Sequence, residues 1–190
     1  MLYLNQNDYG HVPYMHNTDA GGAPPERRNV GTSGCGLCCT CMAVEHLTGQ
    51  TLPLEECVRM SEESGANHRA GTDMVILGPL VAQRFGLAYR WTTDVQEMLD
   101  CLHNGGQVVV NVRATADGTG IFTNTRHYIL AVGAEGDTVC LLDPNYKTGK
   151  FQNYEEAGQL HITEPFIRCS AALLHEETRS ETPYHLFKRK

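Results

Sequence analysis

After Met1-Leu2-Tyr3-Leu4, apolar positions are sparse as far as residue 34 and then suddenly dense. Residues 10–34 carry His11-Val12-Pro13, Gly21-Gly22, Pro24-Pro25 and Gly31, all of which interrupt regular structure, so a long loop is expected there. Residues 1–9 could hold a short strand. From Cys35 to Leu47 nearly every position is apolar, and Gly49 follows as a stop. That pattern predicts a helix buried almost all round. A second helix is expected after Thr51-Leu52-Pro53, with Pro53 near its first position and an end near Ser64-Gly65. Thr72 or Asp73 would cap a third helix reaching about Phe85 across the Gly78-Pro79 pair. Thr93 or Asp94 would open a fourth, through Leu102, closed by Asn104-Gly105-Gly106.

The pattern then changes to β-branched runs. Strands are expected from Gln107 to Val112, from Arg126 to Gly133 and from Asp137 to Leu142, with a Gly- and Thr-rich loop from Ala114 to Thr125. Later strands fit at Ile167 to Leu174 and Tyr184 to Lys188. Helices followed by strands indicate an α+β fold with an antiparallel sheet. Neither an internal repeat nor a linker interrupts the chain, so residues 1–190 are expected to form a single domain.

Hairpin chemistry suggests a register. A three-residue loop, Ala134-Glu135-Gly136, with Gly136 in the positive-φ place, pairs Gly133 with Asp137. Counting outward sets Ala131 against Val139, Ile129 against Leu141, and His127 against Asp143. This loop also gathers Ile129, Ala131, Val139 and Leu141 on one face. A two-residue turn at Glu135-Gly136 would instead set His127 against Pro144. Since Tyr128, Leu130 and Val132 are apolar too, both faces of the sheet should be covered.

Composition narrows the possible functions. Hydrophobic residues make up 41% and charged residues 19% of the 190 residues, as in a soluble globular protein. The net charge of −7 argues against nucleic acid as the main partner, and the only run of three basic residues, Lys188-Arg189-Lys190, is terminal. The longest uncharged apolar run, Met74 to Ala82, is far short of the roughly 20 residues that span a bilayer. Met1-Leu2-Tyr3-Leu4-Asn5-Gln6 lacks the features of a signal peptide, so a cytoplasmic location is expected unless the chain is a trimmed secreted form. The eight cysteines are crowded at Cys35, Cys38, Cys39 and Cys41 and otherwise scattered, which suits a reducing compartment better than a disulfide scaffold.

Cys35 stands out among them. It follows Gly31-Thr32-Ser33-Gly34 and precedes Gly36, at the first turn of the buried helix. There it meets free backbone N–H groups and the positive end of the helix dipole, which favour thiolate, the nucleophilic form. The flanking glycines suit a tight turn and leave room for a substrate backbone. With His127 and Asp143 in register, a Cys-His-Asp acyl-transfer site is indicated. Each residue also has a plainer explanation: a core cysteine, a strand histidine, an Asp-Pro turn. The remaining histidines (His11, His16, His46, His68, His103, His161, His175 and His185) show no partner pattern, and most are expected at the surface. Cys35-x-x-Cys38-Cys39-x-Cys41 has zinc-knuckle spacing, yet no separate second pair completes a site. A redox pair at Cys35 and Cys38 is open too, as is a reversible disulfide from Cys38 or Cys39 to an oxidised Cys35.

These residues resemble a papain-like cysteine peptidase. The closer likeness is to the family that includes the peptidase domains of bacteriocin-exporting transporters, which remove double-glycine leaders, and their stand-alone relatives. It rests on Ser33-Gly34-Cys35-Gly36 opening a buried helix, on His127 leading a hydrophobic strand, and on Asp143-Pro144 sixteen residues later. It spans roughly Gln6 to Lys150. The resemblance implies a papain-like fold, with a buried N-terminal helix carrying the nucleophile packed on an antiparallel sheet. It implies hydrolysis of a peptide or isopeptide bond in a peptide or protein substrate, without metal or other cofactor. It also gives Gln6, the only Gln before Cys35, the family's oxyanion-hole role. The long segment between Gln6 and Cys35 favours the stand-alone relatives. Two alternatives stay open: a papain-like acyltransferase using the same triad, and a thiol-based redox or metal-binding protein using the Cys35–Cys41 cluster.

Overall fold

A computed structural model of the chain describes residues 1–14, 28–67 and 71–190. Most of the expected 10–34 loop, together with His16 and His68, lies outside these residues.

The N-terminus is not a strand. Residues 1–5 are irregular and Gln6–Tyr9 is a 3₁₀ turn, capped where the Asn5 side chain accepts from the Asn7 N–H at 3.1 Å. Asn and Asp so close together offer the backbone local partners that compete with strand pairing. A short helix, α1 (Val30–Ser33), opens on Asn29 and leads through Gly34 into α2 (Cys35–Thr48). Ten residues of α2 are buried, as the unbroken apolar run requires, and Gly49 ends it at a φ of 71°. The buried Thr40 hydroxyl is satisfied by the Gly36 carbonyl at 2.8 Å. Helices α3 (Leu54–Glu63), α4 (Met74–Arg84) and α5 (Val95–His103) match the expected elements, with Pro53 as the N-cap immediately before the first residue of α3. Asp73 and Asp94 are the caps of α4 and α5, accepting from the N–H groups of Val75 at 2.9 Å and Gln96 at 2.7 Å.

The strands are β1 (Leu87–Thr92), β2 (Gln107–Arg113), β3 (Arg126–Glu135), β4 (Thr138–Leu142), β5 (His161–Thr163), β6 (Phe166–Ser170) and β7 (Tyr184–Arg189). They form one seven-stranded antiparallel sheet in the order β1-β7-β2-β3-β4-β6-β5. β1 and β5 were not anticipated, nor was α6 (Gln152–Glu156). The expected strand from Ile167 to Leu174 breaks at Ser170. Its hydroxyl accepts from the Leu173 N–H at 3.1 Å and starts α7 (Ala171–Glu176).

The sheet is covered on both faces. Val109, Leu130, Leu142 and Phe187 pack with α2, α3 and α4, while Val108, Val110, Ile129, Ala131, Val139 and Leu141 pack with α5 and α7. The latter set includes the four residues that the hairpin reading gathered on one face.

The hairpin register itself differs from expectation. The turn is Gly136-Asp137, with Gly136 at a φ of 54°, so Glu135 pairs with Thr138 and Gly133 with Cys140. Continued without change, that pairing would set Asp143 on the face opposite His127. A β-bulge between Ala131 and Gly133 absorbs one residue, and beyond it Ala131 pairs with Leu141 and Leu130 with Leu142. Extending this register sets Asp143 beside Ile129, on His127's side of the pleat and two residues from it. The two are diagonal neighbours, not directly opposed. Gly136 takes the first place of a two-residue turn because positive φ costs glycine little there.

Candidate active site

Cys35 begins α2, where the Gly34 junction sets its position. A Cβ on Gly34 would meet Val30 Cγ1 at 2.3 Å and the Val30 carbonyl oxygen at 2.6 Å, so only glycine lets α1 fold against the start of α2. A Cβ on Gly36 would meet Thr72 at 3.0 Å and the Tyr128 ring at 3.2 Å. The room that these glycines leave is thus taken up by the protein's own packing, not by open space for substrate. Cys35 is half-buried, whereas Cys38, Cys39 and Cys41 are fully buried in the core behind it.

His127 and Asp143 meet from β3 and from the end of β4. The imidazole Nε2 lies 2.6 Å from Asp143 Oδ1, which leaves Nδ1 for the Cys35 thiol, whose protonation the ring influences. Asp143 is fully buried and His127 is 6% exposed, so the pair is shielded from water. Asp143 accepts two further hydrogen bonds: from the Asn145 N–H to Oδ1 at 2.7 Å, and from Lys150 Nζ to Oδ2 at 2.6 Å. The Tyr3 hydroxyl donates to the Asp143 carbonyl at 2.7 Å. A buried carboxylate tolerates burial only with such partners.

The electrostatics follow from this arrangement. Burial pushes the Asp143 carboxyl up, but the charge of and hydrogen bond from His127, with those of Lys150, outweigh it and hold the group at about 2. Burial alone would lower the His127 pKa, yet the Asp143 carboxylate and the Cys35 sulfur raise it to about 9. Burial also pushes the Cys35 thiol up. The hydrogen bond to and charge of His127, aided by the N–H groups of Tyr128 and Gly36, bring it below the ordinary thiol value. Cys38 and Cys39 shift the other way, since burial pushes both thiols up. The arrangement favours a thiolate–imidazolium pair at Cys35 and His127 alone.

Gln6 is buried beside the Asp143 turn. Its backbone N–H donates to the Pro144 carbonyl at 2.7 Å and its Nε2 to the Gly31 carbonyl at 2.8 Å. One Nε2 hydrogen is thus committed to Gly31 and one remains. Oε1 is buried without a partner among the described residues. Asn5 and Asn7 extend the same clamp, with Asn5 Nδ2 on the Tyr146 carbonyl at 2.8 Å and Asn7 Nδ2 on Asn145 Oδ1 at 2.9 Å.

Lys150 and Tyr3 escaped the sequence analysis. The one sign of Lys150 is its place after the turn that follows Asp143-Pro144, where its N–H donates to the Lys147 carbonyl at 2.9 Å. His185 is buried and has a partner that the sequence pattern did not show, with Nδ1 2.9 Å from the Tyr89 hydroxyl. His46 is half-buried, with Nε2 2.7 Å from the Leu2 carbonyl oxygen.

The sequence pattern of the Peptidase_C39 like family matches residues 3–162. The chain belongs to that family. Its fold is also that of two solved structures. One is the peptidase domain of Streptococcus ComA, a bi-functional ABC transporter involved in a quorum-sensing pathway; it superposes with a TM-score of 0.51 at 14% identity, over 94% of this chain and 97% of that one. The other is described as a C39-like peptidase from Bacillus anthracis, with a TM-score of 0.57 at 11% identity, over 95% of this chain and 96% of that one. At these identities the likeness is one of fold. A search of curated proteins finds no match. Family and fold support a function of the cysteine-peptidase type, and the papain-like α+β architecture is the one that the sequence resemblance implied. Among the described residues no helix is long and apolar enough to cross a membrane.

Proposed function

We propose that the protein is a cysteine peptidase that cleaves a peptide or isopeptide bond with Cys35 as nucleophile, His127 as general acid and base, and Asp143 as the residue orienting His127. One observation carries this reading: the imidazole lies between a buried carboxylate, 2.6 Å from Nε2, and the only cysteine of the α2 cluster whose thiol is lowered. The Cys35 thiolate attacks the carbonyl carbon while the proton resides on His127. As the C–N bond breaks, His127 gives that proton to the leaving amine and a thioester remains. Water, deprotonated by His127, then hydrolyses the thioester and regenerates the thiol. Gln6 offers its uncommitted Nε2 hydrogen to the oxyanion, alongside the backbone N–H of Cys35. Such a donor contributes on the order of 3 kcal/mol when preorganised.

The test is the rate of alkylation of Cys35 by iodoacetamide at pH 6, with Cys35→Ala and His127→Ala as controls. Labelling of Cys35 much faster than that of a free thiol, lost in both variants, is expected. A rate no faster than that of a free thiol would mean a binding domain that merely keeps the fold. Incubating a peptide library with and without an added amine then separates hydrolysis from acyl transfer by the products formed.

A further inference from the structure

Arg113 and Arg126 are direct partners across β2 and β3. Like charges set directly opposite destabilise a sheet. Neither guanidinium has an acceptor among the described residues, so nothing in the fold compensates for the pairing. Arg179 joins them, donating from Nη1 to the Arg113 carbonyl at 2.9 Å. Its nearest acid is Glu177, with Oε1 3.9 Å away, and that carboxylate already takes the Ile121 N–H on Oε2 at 2.7 Å. The three arginines line an open pocket of about 490 Å³, with Thr115, Asn124 and Thr125 at its wall. In a chain of net charge −7, three arginines around one concavity form a local field of the opposite sign.

The pocket's place matters as much as its charge. Paired residues share a sheet face, and Arg126 and Arg113 alternate with Tyr128 and Val109 onto the face that α2 covers. Tyr128 packs beside the start of α2, where a Cβ on Gly36, the residue after Cys35, would meet its ring at 3.2 Å. Arg126 is two residues from Tyr128, about 7 Å along the strand. A polypeptide crossing Cys35 would therefore bring a residue one to three positions from the scissile bond to the pocket.

We infer that this pocket is an anion-binding subsite that receives the carboxylate side chain of a Glu or Asp in the substrate polypeptide. The inference rests on the peptidase reading only for the word substrate. Guanidinium forks match a carboxylate in a planar, two-bond arrangement, and the hydroxyl and amide groups of the wall can complete its solvation.

The experiment uses the full chain carrying Cys35→Ala and measures binding of hexaglutamate and hexaglutamine, both N-acetylated and C-amidated, by calorimetry at low salt. Hexaglutamate is expected to bind about tenfold or more tightly than hexaglutamine. The Arg113→Gln/Arg126→Gln/Arg179→Gln protein should lose that difference. Arg126→Gln alone, at an exposed position that does not endanger folding, should lose part of it. Equal binding of the two peptides, or hexaglutamate binding unchanged in the Arg126→Gln protein, would overturn the inference. Because turnover plays no part in this measurement, failure of the peptidase reading would show separately, as slow Cys35 alkylation in the wild-type chain with acidic-peptide binding intact.

Discussion

Lys150 Nζ lies 2.6 Å from Asp143 Oδ2, while the other carboxylate oxygen serves His127. The lysine side chain is only 20% exposed, and its ammonium also meets the Asn145 carbonyl at 3.3 Å. It therefore fixes the rotation of the carboxylate and helps to keep it ionised. Lys150→Met should lower kcat about tenfold, because a freely turning carboxylate orients the imidazole less well, and should cost roughly 2 kcal/mol of stability. Removing a cation near the imidazolium also favours the charged ring, so the alkaline limb of the rate profile should move to higher pH. Lys150→Arg should restore much of kcat and return the limb towards its original place. A Lys150→Met protein with unchanged kcat and pH profile would reduce the lysine to a packing role.

The thiolate–imidazolium pair makes the pH dependence definite. The Cys35 thiol is held below its ordinary value and His127 is raised to about 9, so the pair is expected between those two limits. Alkylation of Cys35 should already be fast in mildly acidic solution, and peptide turnover should fall as pH rises through about 9, when the ring loses its proton. Stability follows the same groups. His127 titrates higher folded than unfolded, so its contribution is complete below about 6.5 and is lost as pH rises through about 9. Asp143 titrates lower folded than unfolded, so its contribution is present above about 4 and is lost as pH falls towards about 2. Thermal unfolding of wild-type, His127→Ala and Asp143→Ala proteins across pH 3–10 checks both signs.

Cys35, His127 and Asp143 stand out in the sequence because each sits beside a strong local signal: a glycine-bounded helix start, a β-branched run and an Asp-Pro turn; of these, His127 and Asp143 meet at 2.6 Å. The register was not legible: Gly133 pairs with Cys140 and not with Asp137, and only the bulge brings the expected parity back at Asp143. Gly136 marks a turn but does not say which place it takes, and nothing local announces the bulge after Ala131 that returns Asp143 to His127's side. β1 carries a readable alternation, Leu87, Tyr89 and Trp91 against Ala88, Arg90 and Thr92, which follows closely on α4. Lys150 could not be found, since an ammonium seven residues after a carboxylate meets it only if the intervening turn folds back. The partner of His185 is hidden for a similar reason: Tyr89 comes from β1, 96 residues earlier in the chain and beside β7 only in the folded sheet.

The Gly34 junction gives a sharper test of how Cys35 is positioned. A Cβ there collides with backbone and side-chain atoms of Val30, and the backbone cannot yield without moving the first turn of α2. Gly34→Ala should lower stability by about 1–3 kcal/mol, as overpacking does. It should also slow Cys35 alkylation, because displacing the sulfur weakens the influence of His127 that holds the thiol low. Gly10→Ala, where a Cβ meets open space, is the control and should change neither quantity. Normal alkylation in a destabilised Gly34→Ala protein would separate the junction's structural role from the activation of the thiol.

Cys38 tests the peptidase reading against the redox and metal alternatives that the cysteine cluster suggests. It is fully buried, and burial pushes its thiol up, so it is neither exposed to an oxidant nor poised as thiolate. Among the described residues no group of three His, Cys, Asp or Glu side chains is placed to hold a metal ion. Cys38→Ala should therefore keep the rapid, His127-dependent alkylation of Cys35 and lose only the stability of a small buried side chain, about 1 kcal/mol. A thiol oxidoreductase would behave oppositely, since its second cysteine resolves the mixed disulfide formed by the first. Peptide cleavage that falls as far in Cys38→Ala as in Cys35→Ala would make the pair, and not the Cys35–His127–Asp143 relay, the reacting unit.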